Sequence, residues 1–199
     1  MSEQEAGLRD RLVDAGVELV TSGGTAAVTL REIARRAGVS HGAPRRYFPT
    51  HLELLSAVAR RGFADLAAEL SAAASDDAEG PRSRLLALGR AYLSFAASNP
   101  GMYELMFRHD LLNSGRLGLR DVSLPLLRMV TALVAEAQPR TNDAPEIVTA
   151  ALWANLHGIA QLWGWGSLQL ATDLQDPDPL LRAALDAHVA TEHRASSGA

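Results

Sequence analysis

Apolar residues return every three or four positions along this 199-residue chain, and almost every segment shows that period rather than the alternation of a strand. Leu8, Leu12, Ala15, Leu19 and Val20 open the series, and Leu52, Leu55, Ala59, Phe63, Leu66 and Leu70 repeat it. The spacing predicts an all-α fold of about nine helices, with no internal repeat.

Stop and start signals divide that pattern. Ser22-Gly23-Gly24 closes the first helix. Thr29 stands three residues before Glu32, a capping box that opens a short helix through Arg36, and Gly38 ends it. Ser40 is the candidate N-cap of a third short helix, from His41 to about Phe48. Thr50, with Glu53 three residues on, opens a long helix that frays near SDDAEGP. Further helices are expected from Pro81 through Ser98, in the short piece MYELMF, over roughly 121 to 138, over about 145 to 166, and from Asp178-Pro179 to near His193. The tail from 194 to 199 is expected to be disordered.

Charge separates a head from a body. The whole chain carries a net charge of −4, and all 19 basic residues are arginine. Residues 28 to 62 nevertheless hold seven arginines against Glu32 and Glu53, whereas residues 63 to 199 hold ten against sixteen acids. A small basic module therefore precedes a larger acidic body. Guanidinium groups suit bidentate pairing with phosphate or guanine. The chain has no cysteine, which excludes disulfides, thiolate metal sites and a cysteine nucleophile. No window approaches the roughly 18 to 20 uninterrupted apolar residues of a membrane span, and MSEQEAGLRD has no apolar signal core. The expected location is the cytoplasm.

The stretch AGVSHGAPRRYF, Ala37 to Phe48, puts poor helix formers beside the densest positive charge of the chain. Two short helices around the turn Ala37-Gly38-Val39-Ser40 make a helix-turn-helix, whose second helix enters the major groove of DNA. Small residues in its first turn permit close approach to the bases. Thr29, Arg31, Ser40, His41, Gly42, Ala43, Arg45, Arg46, Tyr47 and His51 are the candidate DNA contacts, while Ile33, Ala34, Val39 and Phe48 belong to the core.

The run TLREIARRAGVS, the short helix after it, Phe48, and the leucine six residues beyond resemble the DNA-binding head of the TetR family of bacterial transcription regulators. The match covers about residues 8 to 62, and NPGMYELMF and LWANLHGIAQL are similar to pieces of a frequent C-terminal domain of that family. The sequence departs from the family pattern in two places, Pro44-Arg45 replacing Leu-Tyr and His51 replacing a lysine that opens the next helix, while Tyr47 stands where His or Tyr precedes the Phe. The resemblance implies a DNA-binding domain over 1–62, with the start of the fourth helix. It implies a ligand-binding and dimerisation domain over 63–193, and a homodimeric repressor that a small apolar or amphipathic effector releases from a near-palindromic operator. No cofactor is implied.

In the body, Leu152, Leu156, Ile159 and Trp163 form one apolar stripe, and Leu181, Leu185 and His188 lie on the last helix. Two such helices suit a dimer closed as a four-helix bundle. Gly158 inside a helix costs about 1 kcal/mol relative to alanine and is best explained by close helix packing. Tyr92, Phe95, Met102, Tyr103, Met106, Phe107, Met129, Trp153 and His157 are the candidate effector contacts, with His157 and the tyrosine hydroxyls as polar groups. An all-helical enzyme lacks support, since the chain has no H-E-x-x-H, G-x-S-x-G or P-loop pattern, and its six histidines show no metal-ligand spacing. A protein-interaction module that kept the fold but lost DNA binding is the alternative.

Overall fold

The computed structural model describes residues 3–75, 80–113, 118–137 and 139–190, and these form eleven helices. In order they are α1 (Glu3–Ala27), α2 (Leu30–Arg36), α3 (Pro44–Tyr47), α4 (His51–Ser75), α5 (Pro81–Ser98), α6 (Pro100–Met106), α7 (His109–Asn113), α8 (Leu119–Glu136), α9 (Pro145–Gly164), α10 (Ser167–Thr172) and α11 (Asp178–His188). The fold is all-α, and a single isolated bridge joins Pro139 and Val189 among the described residues. The expectation of about nine helices missed α7 and α10, which have five and six residues. The last helix ends at His188, and the expected fraying at SDDAEGP falls largely, and the tail wholly, outside the described residues.

The chain forms two compact units. The first comprises the residues up to Leu66 together with Ser98–Leu124, and the second comprises Ala67–Ala97 and the residues from Pro125 onward. In the first, Leu12, Val20, Val28, Ile33, Ala34, Phe48, Leu54, Leu55 and Val58 are buried to 2% exposure or less. Gly24 breaks α1 with φ 70° and ψ −173°, a left-handed conformation that a side chain would strain. Helix α6 docks against α1: a Cβ on Gly101 would come within 2.6 Å of the Val20 carbonyl oxygen, and Thr25 donates a hydrogen bond to Glu104 at 3.2 Å. Met102 and Met106 of α6 pack against Gly62 of α4, and the Phe107 ring meets Phe63 edge-on at 5.6 Å.

In the second unit, α5 is fastened to α11 and α8 by arginines. Arg82 pairs with Asp186, Arg84 with Glu136 at 3.1 Å, and Asp178 accepts from Arg90 Nε at 2.6 Å and from Arg182 Nε at 2.7 Å. Leu181 fills the space beside Gly89. The two guanidinium groups hold the Asp178 carboxyl at about 2, below the ordinary 3.8. A lowered folded value means that the stabilisation is complete above about pH 4 and is lost as the pH falls through about 2. Solvent screening keeps it well under about 1 kcal/mol. Between those limits Asp178→Asn is expected to flatten the acid limb of a melting-temperature profile; an unaltered limb would deny the pair any part in acid stability.

Candidate nucleic-acid interface

The sequence builds α2 and α3 by different means. Thr29 has an extended backbone, and its hydroxyl accepts from the Glu32 amide at 3.2 Å, so α2 begins where the cap was expected. Only half of the capping box forms, because the Glu32 carboxylate turns to Arg35 Nε at 2.9 Å rather than back to Thr29. Gly38, at φ 69°, ends the helix. The third helix is shorter than expected, Pro44–Tyr47 rather than His41 to Phe48. A helix capped by Ser40 would need the amide of residue 44 to reach the Ser40 carbonyl, and proline has none. The Ala43 amide takes that carbonyl at 2.9 Å instead, leaving Ser40, His41 and Gly42 in an exposed turn and Ala43 at the N-cap. Pro44 is buried and anchors the start of α3, and the Phe48 amide closes it on the Pro44 carbonyl at 2.8 Å.

The five arginines between Leu30 and Tyr47 fall into two groups. Arg35 is paired with Glu32 and Arg36 with Glu18 at 3.7 Å, so their charge is spent within the protein. Arg31, Arg45 and Arg46 are exposed and make no ion pair or hydrogen bond among the described residues. Two more arginines support the motif from α1: Arg9 lies 5.2 Å from the centre of the Phe48 ring, and Arg11 donates to the Ala37 carbonyl at 2.7 Å. Sequence reasoning missed both, although their spacing on the exposed side of α1 could have pointed to them. Tyr47 is half-buried. His51, exposed at the start of α4, reaches the Val28 carbonyl through Nε2 at 2.6 Å, which ties the entry of α4 to the entry of α2.

The candidate effector residues lie in both units. Met102, Tyr103, Met106 and Phe107 belong to the first, where three of the four are buried and Tyr103 stacks at a tilt on Phe107. Tyr92, Phe95, Met129, Trp153 and His157 belong to the second. There the Tyr92 hydroxyl and His157 Nδ1 share a hydrogen bond of 3.0 Å, and the Trp153 ring lies 5.7 Å from that of His157. Burial holds the His157 imidazole below its ordinary value, so it is neutral at neutral pH. Among the described residues no group of three or more His, Cys, Asp or Glu could hold a metal ion, and no helix is long and apolar enough to cross a membrane.

Three of the residues expected at the dimer interface are core instead. Leu152, Leu181 and Leu185 are buried to 3% exposure or less within the protomer, so they have no surface left to offer a second copy. Leu156, Ile159 and Trp163 are half-buried on the same side of α9, and His188 accepts from the Asn155 side chain at 2.7 Å. The exposed apolar residues of α9 and its end are Ile147, Trp153, Leu162 and Trp165, the last 71% exposed. At 100° per residue, Ile147, Ala150, Ala151, Ala154, Gly158, Leu162 and Trp165 share one face, opposite the expected stripe. A Cβ on Gly158 would meet nothing of this chain within 4 Å.

Residues 12–58 match the model of the family described as bacterial regulatory proteins, tetR family, and residues 85–188, more than half of the chain, match the tetracyclin repressor-like C-terminal domain. The chain belongs to the TetR family. The HTH-type transcriptional regulator BetI of Rhizobium meliloti is 42% identical over 89 residues, which are 45% of this chain and 42% of BetI. The alignments thus span less than half the length of the curated relatives matched. Among solved structures, a protein of unknown function from Rhodococcus sp. RHA1 is similar with a TM-score of 0.76 and 28% identity, over 90% of this chain and 92% of that one. The multidrug binding protein EbrR, in complex with imidazole, is similar with a TM-score of 0.62 and 26% identity, over 96% of each chain.

Proposed function

We propose that this TetR family member is a homodimeric, DNA-binding transcriptional repressor of the cytoplasm, released from a near-palindromic operator by a small apolar or amphipathic effector, and that its activity is binding rather than turnover. The observation that carries this reading is the sorting of the head's arginines. Arg35 and Arg36 are paired with acids, while Arg31, Arg45 and Arg46 stay exposed, the last two just after the open turn at His41 and Gly42. A guanidinium on α3 can take guanine O6 and N7 bidentately, and Arg31 at the start of α2 suits a phosphate. Thr29, Ser40, Ala43 and Tyr47 shape and flank that surface. The test is an anisotropy titration against the DNA upstream of the gene at two salt concentrations. Specific binding that weakens with salt is expected; affinity no better than for random DNA would overturn the reading.

The second copy is expected on the exposed face of α9. Residues 147 to 172 contain no Asp, Glu, Lys or Arg, so that face has no charge to hold water against a neighbour. Small residues at 150, 151, 154 and 158 allow two helices to approach closely, and Ile147, Leu162 and Trp165 supply apolar area at either end. An open Gly158, unexplained within one protomer, fits there. Trp165→Ala is expected to raise the dimer dissociation constant about tenfold or more in sedimentation equilibrium, in line with the apolar area lost. An unchanged constant would place the interface elsewhere.

For the effector, Tyr92 and His157 offer a neutral hydrogen-bonding pair, and no charged residue is buried among those described. An interior without charge suits a neutral or amphipathic molecule. The likeness to EbrR, a multidrug binding protein, supports a small-molecule effector. Such an effector acts by its differential affinity for the DNA-competent dimer and the released one.

A further inference from the structure

We propose that operator binding takes up a proton at His51, whose protonated imidazole then donates from Nδ1 to a backbone phosphate of the DNA. The inference rests on the DNA-binding reading above. The Val28 carbonyl can only accept, so the 2.6 Å contact makes Nε2 the donor and fixes the tautomer. In the neutral ring Nδ1 then carries a lone pair, which repels a phosphate oxygen. In the protonated ring it carries an N–H, which donates to one. The ring cannot satisfy a phosphate by flipping, because that would break its bond to Val28. His51 makes no other hydrogen bond or ion pair among the described residues, and the residue is exposed, so Nδ1 is open to a partner from outside.

The placement supports a phosphate as that partner. His51 follows the end of α3 at Tyr47 by four residues and is bonded to the residue before the N-cap of α2, so it joins the ends of both helices of the motif. Segments that flank a recognition helix are where contacts to the DNA backbone are made. The charged and titratable groups on the elements packed around it are consistent. On α2, Glu32 is occupied by Arg35, Arg36 by Glu18, and Arg31 is exposed. Helix α3 offers Arg45, Arg46 and Tyr47, and the preceding turn offers His41. Glu53, half-buried in the first turn of α4, donates its amide to the Thr50 hydroxyl at 3.2 Å. On α1, Asp14 is paired with Arg61, Arg11 with the Ala37 carbonyl, Arg9 lies over Phe48, and Asp10 is exposed. None of these acids is bonded to His51, so a phosphate is the anion that completes it.

The experiment is operator affinity between about pH 6 and about pH 8 at fixed ionic strength, for the full-length wild type, His51→Lys, His51→Gln and His41→Gln. One proton taken up per protomer weakens binding by up to about tenfold per protomer for each pH unit gained. Wild type and His41→Gln are expected to show that dependence. His51→Lys, with a permanent charge, is expected to bind across the whole range with little dependence, and His51→Gln to bind weakly at every pH. A wild type whose affinity does not change with pH overturns the proposal, as does a dependence that survives in His51→Lys or disappears in His41→Gln. Far-ultraviolet circular dichroism at each pH separates unfolding from lost contact. Failure of every variant and of wild type to bind any DNA specifically would instead sink the DNA-binding reading.

Discussion

The double substitution Arg45→Ala, Arg46→Ala is expected to weaken operator binding by about a hundredfold or more, while Arg35→Ala changes it by no more than a few-fold. Each well-placed guanidinium contact to a base is worth about 1–3 kcal/mol, and the two residues are adjacent, exposed and uncommitted. Arg35 is already engaged by Glu32 three residues earlier in the same helix, so its removal takes away little that DNA would have used. All three side chains are at the surface, and the melting temperature should stay within the small range of ordinary surface changes. Loss of affinity with the fold intact therefore reports contact. If the lost contact includes a phosphate, the slope of log affinity against log salt falls by about one. Equal losses from Arg35→Ala and from the double variant would mean that the head's positive charge acts only as a diffuse field.

Gly101→Val is expected to be the most damaging single change to the first unit. The new Cβ would lie 2.6 Å from the Val20 carbonyl oxygen and 3.2 Å from the Gly24 Cα, and both are backbone atoms. A side chain could swing aside, but here α6 must lift from α1 and give up the Thr25 to Glu104 hydrogen bond and the packing of Met102 and Met106. Overpacking of this kind costs about 3 kcal/mol, which lowers the melting temperature by roughly 6–12 °C in a chain of this size. A thermal melt followed by circular dichroism measures it. A midpoint that does not move would show that α6 is not fixed by this close approach.

The head was largely legible because its signals are local. Thr29 caps α2 through chemistry that needs only the next three residues, and Gly38 ends it for a reason internal to glycine. The start of α3 is less local: Ser40 is a fit N-cap by type, but Pro44, four residues on, has no amide to complete that turn, and the helix begins at Pro44. Which arginines remain available could be read only in part. The spacing of Glu32 and Arg35 foretells their pair, whereas Glu18 meets Arg36 from another helix, and nothing nearby in the sequence announces that contact.

The body was harder for a different reason. From Ile147 to Trp165 the helix is apolar on nearly every side, so periodicity gives its presence without its phase. Leu152, Leu156, Ile159 and Trp163 share one stripe by period, yet Leu152 is core, and the exposed face is the one built from alanines, Gly158 and Trp165. The partner of Gly89, Leu181, lies 92 positions away, and α10 has no buried residue to mark it. Such features depend on distant packing, which a local pattern does not contain.

The most direct test of the central claim is selection of bound sequences from a random DNA library by the purified protein, with the recovered sites then measured by anisotropy. The account predicts one enriched near-palindrome, with half-sites about one helical turn or a multiple of it apart and a guanine in each arm that loses its influence in the Arg45→Ala, Arg46→Ala variant. Recovery of no sequence above the starting library, by a protein shown to be folded and dimeric, would contradict it.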